Sequence, residues 1–297
     1  MSPSDELQNM VTRFAPSPTG RLHIGHGWSA LMAHDMARAA GGAFRLRIED
    51  IDGTRSRPEH VAGILEDLRW LGIDWDGDAV MHQSQRLDVY AAALDRLKGE
   101  GLVYPCFCTR AEIAAEIAAS ASAPHGPEGA LYPGTCRALS PAQRAERAAQ
   151  EPHCWRLDMA AALARSGPIR WRDAEQGWID AHPEQAGDVV LARKDAPTSY
   201  HLAATTDDAA MGVTHVLRGE DLRTATDIHA LLQTLLGLPG PVYRHHPLLV
   251  DASGRRLAKR TGGITLAELR ESGADPACLA ADLRSGVFPV GISLQHA

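Results

Sequence analysis

Strands and helices alternate along the first third of the chain, an order that predicts an α/β fold built on a doubly wound, Rossmann-type parallel sheet. Two further observations support that reading. Each β-favouring run is short and is followed by apolar residues at helical spacing, and Gly/Pro-rich loops separate the two kinds of segment. With 297 residues the chain can bury a substantial core without covalent staples.

Val11 to Ala15 is a β-favouring run that ends in Pro16-Ser17-Pro18-Thr19-Gly20, where two prolines and a glycine forbid regular continuation. Trp28, Leu31, Met32, Asp35 and Met36 then fall at largely helical spacing, and Gly41-Gly42 supplies a stop. A strand follows at Ala43 to Glu49. The next helix starts near Pro58, its N1 residue, and runs through Val61, Ile64, Leu65, Leu68 and Leu71 to Gly72. Another helix opens at Ser84 and carries Leu87, Tyr90, Ala91, Leu94 and Leu97.

The middle differs in character. Ala111 to Ala123 is nearly all Ala, Ile, Glu and Ser, and His125 to Gly134 is a Gly/Pro-rich loop before Cys136, which marks a small insertion. β-favouring runs return at Trp155 to Met159, Ile169 to Arg172 and Val189 to Ala192, where the sheet is expected to be completed, with helices near Tyr200 and from Thr224 to Leu236. A turn at Asp251-Ala252-Ser253-Gly254 leads to a basic loop, Arg255 to Arg260, and two short helical segments. The expected division is 1–104 and 154–250 as two halves of one catalytic domain, 105–153 as the insertion, and 251–297 as the basic loop with a short helical segment.

Apolar residues make up 44% and charged residues 23% of the chain, and no apolar run approaches the roughly 20 residues of a membrane-spanning helix. Met1 to Met10 is polar and acidic, unlike a signal peptide, so a cytoplasmic protein without a membrane partner is expected, acting as a monomer. A formal net charge of -7 excludes a protein that is basic over its whole surface, although a local patch can still hold phosphates. Five cysteines, an odd number, suggest metal binding or packing before disulfides.

The strongest chemical signal is Arg13-Phe14-Ala15-Pro16-Ser17-Pro18-Thr19-Gly20-Arg21-Leu22-His23-Ile24-Gly25-His26. A helix N-terminus exposes unpaired N–H groups, Gly25 allows close approach, and two imidazoles can donate to the oxygens of an ATP phosphate chain. Read alone, the same loop also suits a tight connection between strand and helix. At these residues the chain resembles a known family: His23-Ile24-Gly25-His26 matches the HIGH signature of class I aminoacyl-tRNA synthetases, and the run from Arg13 to His26 resembles their glutamyl subgroup. The resemblance continues through Arg47-Ile48-Glu49-Asp50-Ile51-Asp52, Ser199-Tyr200-His201-Leu202-Ala203, His215-Val216-Leu217-Arg218-Gly219-Glu220-Asp221 and Arg256-Leu257-Ala258-Lys259-Arg260.

That last loop resembles the KMSKS signature, with departures at Arg256, Ala258 and Arg260. The resemblance implies that Lys259 meets the charge growing on the α-phosphate, where a mobile cation acts on the transition state. It implies ATP contacts at Pro16, His23, Gly25, His26, Arg256, Leu257 and Lys259, with His23, His26 and Lys259 catalytic. Charge alone argues the amino acid: two carboxylates need cations, which Arg13 and Arg218 can supply bidentately, and an ammonium needs an anion such as Glu49. The resemblance implies glutamate contacts at Arg13, Ala15, Ser17, Glu49, Tyr200 and Arg218. Without it, Glu49 and Arg218 read as surface charges, Tyr200 as core, and Glu220 and Asp221 offer Arg218 a salt bridge.

Cys106-Phe107-Cys108 and Tyr132-Pro133-Gly134-Thr135-Cys136 gather three thiols and a phenol in the insertion, and zinc favours four such ligands in a tetrahedron. By spacing, C-x-C is weaker than paired C-x-x-C, and His125 is a rival fourth ligand, while Cys154 and Cys278 read as buried thiols. The pattern resembles the zinc site of the shortened paralogues of glutamyl synthetases, which implies one structural zinc on Cys106, Cys108, Tyr132 and Cys136. Few residues follow the basic loop, where a full glutamyl synthetase carries an anticodon-reading region. The resemblance to the shortened paralogues therefore implies ATP with Mg2+, L-glutamate and tRNA(Asp) carrying queuosine as substrates, the glutamyl group passing from its adenylate to the queuosine base in the anticodon. The alternatives are a conventional synthetase charging tRNA(Glu), another adenylyl-transferring enzyme of the same fold, and a catalytically silent tRNA-binding regulator.

Overall fold

The computed structural model describes residues 9–77, 79–119, 125–126, 129–257 and 264–295. β1 (Val11–Phe14) has three consecutive buried residues, as a central parallel strand covered on both faces requires. The Pro/Gly loop leads into α1 (Ile24–Ala39) and β2 (Ala43–Ile48), which runs parallel to β1 with Val11 opposite Ala43. α2 (Pro58–Trp70) opens on Pro58, whose fixed φ and missing N–H suit the first helical turn. The short β3 (Met81–His82) pairs parallel beyond β2. The helix expected from Ser84 starts later: Gln83–Gln85 form a 3-10 turn and α3 spans Leu87–Gly99. Ser84 is tied instead to Asp50, to which its N and Oγ each donate at 2.8 Å.

β4 (Val103–Cys106) leads into α4 (Arg110–Ala119), a two-residue ladder of β5 (His125–Gly126) and β6 (Gly129–Ala130), and α5 (Pro141–Gln150), which Ser140 caps. β7 (Cys154–Leu157) returns antiparallel to β4, with Cys154 opposite Cys106. After α6 (Met159–Ser166) come the hairpin β8 (Arg170–Asp173) and β9 (Gly177–Asp180), then β10 (Val190–Ala192). The runs at Trp155 and Val189 do not complete the parallel sheet, contrary to expectation. They form a separate three-stranded antiparallel sheet in the order β10-β7-β4, and β8 alone of the three joins the main sheet.

α7 (Tyr200–Ala210), β11 (His215–Gly219), α8 (Arg223–Leu236) and β12 (Val242–His246) complete that sheet, with β11 parallel to β12 and β12 parallel to β8. The Thr214 N–H donates to the Val11 carbonyl at 3.0 Å and joins the two halves. β13 (Leu249–Asp251) precedes α9 (Leu266–Glu271) and α10 (Pro276–Arg284), the two short helices expected, and pairs with β14 (Ile292–Leu294), which the sequence did not announce. Cys278 is exposed rather than buried, because α10 turns Ala280 and Leu283 inward.

Two apolar clusters cover opposite faces of the sheet. Ile24, Leu31, Ile64, Leu68, Leu266 and Leu283 pack with Phe14, Leu46 and Leu217 on one side. Leu94, Leu97, Ile228, Leu231 and Leu235 pack with Val216, Trp171 and Tyr243 on the other. Neighbours Val216 and Leu217 thus enter different clusters, the period-2 behaviour of a strand buried on both faces. β1 and β11 lie side by side, and their carboxyl ends deliver Ala15 and Arg218 to one spot, where the chain order of the sheet reverses. Ligands of doubly wound folds bind at such a place. Among the described residues, no helix is long and apolar enough to cross a membrane.

Candidate active site

A cavity opens at that reversal point, lined from the first half by Arg13, Ala15, His23, Gly25, His26 and Glu49 and from the second by Tyr200, Arg218, Arg256 and Leu257. The histidine pair builds the start of α1. His23 is the N-cap: its Nδ1 accepts from Gly25 N at 3.1 Å, while His26 Nδ1 accepts from His23 N at 3.2 Å. An imidazole that accepts through Nδ1 is neutral and carries its hydrogen on Nε2, so both rings are donors for an oxygen in the cavity. Their centroids lie 3.7 Å apart. A Cβ on residue 25 would meet the His23 ring at 3.1 Å, so glycine lets the rings and the backbone share this corner.

Arg13 is buried and donates from Nε to Asp208 at 3.1 Å and from Nη1 to the Leu217 carbonyl at 3.3 Å. Fully buried Arg47 also pairs with Asp208 and holds Glu49 at 3.1 Å. Burial pushes the Glu49 carboxyl above its usual range, opposed by the nearby Arg47 and Arg13 guanidiniums. Arg218 is equally buried but differently surrounded. It touches Tyr200, Thr226, His229 and His245, all uncharged, and no ion pair to it exists among the described residues. The salt bridges open to Glu220 and Asp221 go elsewhere: Glu220 sits 3.7 Å from Arg223, and Asp221 pairs with Arg256 at 2.6 Å.

Pro16 and Ser17 do not line the cavity. Their carbonyls accept from Glu49 N at 3.0 Å and Thr19 N at 2.9 Å and so shape the loop beside it. Leu257 is anchored by its N–H to the Leu249 carbonyl at 3.0 Å, and Lys259 lies outside the described residues. Sequence reasoning missed Asp208, His229, His245 and His246, and also Trp28 and Ser29, which line the cavity beside His246. Gly219, quoted only as part of a longer stretch, lines it too; a side chain there would meet Leu248 at 2.8 Å.

In the insertion, the sulfurs of Cys106, Cys108 and Cys136 lie within 4.8 Å of one another. Cys108 Sγ is 3.5 Å from Cys136 Sγ and 3.6 Å from Tyr132 Oη. A tetrahedral zinc with ordinary bond lengths spaces two sulfurs about 3.8 Å apart and a sulfur and an oxygen about 3.6 Å apart. These residues fit the ion. Backbone N–H groups back the ligands, Phe107 N to Cys136 Sγ at 3.4 Å and Cys136 N to Tyr132 Oη at 2.9 Å. A hydrogen bond from Cys154 draws the Cys106 thiol down to about 4 against its burial, while burial pushes Cys108 up to about 11. The His125 side chain lies outside the described residues.

The family pattern described as tRNA synthetases class I (E and Q), catalytic domain, matches residues 9–293. The chain is 53% identical to the glutamyl-Q tRNA(Asp) synthetase of Rhodobacter capsulatus, over 90% of this chain and 97% of that one. It is 46% identical to the protein of the same name from Symbiobacterium thermophilum, over 89% and 82%. Glutamate–tRNA ligase 2 of Acidithiobacillus ferrooxidans is 41% identical over 95% of this chain, which spans only 58% of that relative. Among solved structures, the glutamate-tRNA synthetase of Elizabethkingia anophelis superposes with a TM-score of 0.76 at 28% identity, over 93% of this chain and 61% of that one. The histidine-capped helix, the paired arginines at the sheet reversal and these likenesses agree: the chain belongs to the class I tRNA synthetases of the glutamate and glutamine group, in the branch of the glutamyl-Q tRNA(Asp) synthetases.

Proposed function

We propose that this enzyme activates L-glutamate with ATP and transfers the glutamyl group to the queuosine base of tRNA(Asp). The observation that carries the glutamate assignment is Arg218, a buried guanidinium facing the cavity with only neutral neighbours. A buried cation without an anion costs several kcal/mol, on the order of what a substrate carboxylate would relieve. Arg13, Ala15 and Tyr200 complete that side, Ser17 supports its loop, and Glu49 is the anion for the ammonium. Mg2+ accompanies the ATP phosphates and spreads their charge.

In the first step a glutamate α-carboxylate oxygen attacks the α-phosphorus, a P–O bond forms, and the bond to pyrophosphate breaks. His23 and His26 donate from Nε2 to phosphate oxygens, Gly25, Arg256 and Leu257 frame the nucleotide while Pro16 shapes the loop beside it, and Lys259 stabilises charge growing on the α-phosphate. In the second, a queuosine hydroxyl attacks the adenylate carbonyl, loses its proton, and AMP departs with the electron pair of the broken bond. Cys106, Cys108, Tyr132 and Cys136 would hold one zinc that fixes the insertion, residues 105–153 of the proposed division, with 1–104, 154–250 and 251–297 as the remaining parts. ATP, glutamate and tRNA are all intracellular, which supports a cytoplasmic enzyme, read here as a monomer.

The test is glutamate-dependent ATP–pyrophosphate exchange by the purified protein without tRNA. Exchange with glutamate and little with aspartate or glutamine is expected; equal exchange with all three, or none, would overturn the assignment.

A further inference from the structure

Arg218 is held by a particular kind of neighbour. Its Nη1 lies 3.2 Å from Tyr200 Oη and 3.3 Å from His229 Nδ1, its Nη2 donates to Thr226 Oγ1 at 2.8 Å, and its Nε faces His245 Nε2 at 3.5 Å. A guanidinium only donates, so each ring nitrogen facing it must present a lone pair. Both tautomers follow: His229 carries its hydrogen on Nε2, and His245 carries its own on Nδ1. The His229 Nε2–H then donates to His201 Nδ1, 3.3 Å away, which sets the His201 hydrogen on Nε2. His245 Nε2 also lies 3.1 Å from Thr226 Oγ1, whose single hydrogen points to it because Nε2 carries none to donate. His245 Nδ1 is buried without a hydrogen-bond partner among the described residues. An unpaired buried N–H is costly, and here it accompanies a lone pair turned towards Arg218 and Thr226.

We propose that His229 and His245 are positioning residues for amino-acid selection: by accepting from Arg218 while remaining neutral, they fix its guanidinium without cancelling its charge, and that charge then selects a substrate side-chain carboxylate over an amide. The inference rests on Arg218 being a glutamate contact. Arg13 shows the contrast within one cavity, since its charge is already met by Asp208. A carboxylate in place of either imidazole would do to Arg218 what Asp208 does to Arg13. Burial, then the Arg218 charge, keeps both rings uncharged: His229 lies well below the ordinary histidine value, with His201, Arg13 and Arg47 adding to the effect. His245 is pushed down to about 3, with Arg223 and His246 reinforcing and Asp173 opposing.

The experiment compares glutamate- and glutamine-dependent ATP–pyrophosphate exchange in the parent, His229→Asn, His229→Asp, His245→Gln and His245→Glu. Asn and Gln keep an acceptor near the Nδ1 and Nε2 positions; Asp and Glu add the anion. The acidic variants should raise the KM for glutamate about 100-fold and narrow the preference over glutamine, with the KM for ATP within about twofold, while the amide variants stay within about fivefold of the parent. Equal losses in amide and acidic variants, or an unchanged glutamate KM in the acidic ones, would overturn the proposal. A parent without glutamate-dependent exchange would instead remove the functional reading beneath it. Long-range 1H–15N spectra of the parent test the same point without any variant: neutral rings protonated at Nε2 of His229 and Nδ1 of His245 at pH 7 are expected, and an imidazolium at either would overturn it.

Discussion

Asp208 links two buried arginines of the first half of the chain, the cavity-lining Arg13 at 3.1 Å and Arg47 closer still. Replacing it with alanine strands two guanidiniums away from water, so Asp208→Ala should cost about 3–5 kcal/mol of stability, the usual price of breaking a buried pair. Denaturant unfolding of parent and variant checks this, and a change under about 1 kcal/mol would show the carboxylate to be dispensable. Lys259 is proposed to act in the chemistry instead. Lys259→Ala should lower the rate of adenylate formation about 100-fold or more, the scale of losing one preorganised charge at a reacting centre, with little change in melting temperature. Unchanged ATP–pyrophosphate exchange would remove its role. Arg13 and Arg218 were legible because each sits in a recognisable stretch of sequence. Asp208 was not: it lies 195 residues from Arg13, inside an ordinary helical run, and only the folded chain brings them together.

At the scale of elements, the insertion and the helix pair α7 and α8 make separate predictions. Cys108 shares its corner with Cys136 and Tyr132, so Cys108→Ser should lower bound zinc in the purified protein to well under one per chain; equal zinc in parent and variant would show the ligand set to be wrong. The buried histidines between α7, α8 and β12 predict a pH dependence. Burial, then Arg218, lowers His201 to about 4 and His245 to about 3, from ordinary values near 6.5. As pH falls below about 6.5 the unfolded chain takes up protons that the folded one refuses, so stability is full above that pH and is lost progressively towards the folded values. Melting temperature should therefore fall between pH 6.5 and 5, above the carboxylate range, and fall less in His245→Gln. A flat profile would mean the rings are protonated in the fold. The cluster of three thiols and a phenol could be picked out by residue type and resemblance, but the three-stranded sheet could not. The runs at Trp155 and Val189 look like strands of either sheet, and only pairing with β4 decides between them.

For the whole molecule, alternation of strands and helices was enough to read the doubly wound sheet, because each parallel strand is short and buried and each helix carries an apolar stripe. What alternation could not give was the meeting of β1 with β11, a contact between distant halves on which the cavity depends. The same meeting puts the histidine-capped helix end and the buried Arg218 on one opening, and the relatives named for glutamyl transfer to tRNA(Asp) share 53% and 46% of their residues with this chain over most of their length. The most direct measurement is glutamate transfer by the purified protein, with ATP and Mg2+, to tRNA(Asp) with queuosine, to tRNA(Asp) without it, and to tRNA(Glu). Labelling confined to the queuosine-containing tRNA(Asp) is predicted, and labelling of tRNA(Glu), or of tRNA(Asp) regardless of queuosine, would contradict the account.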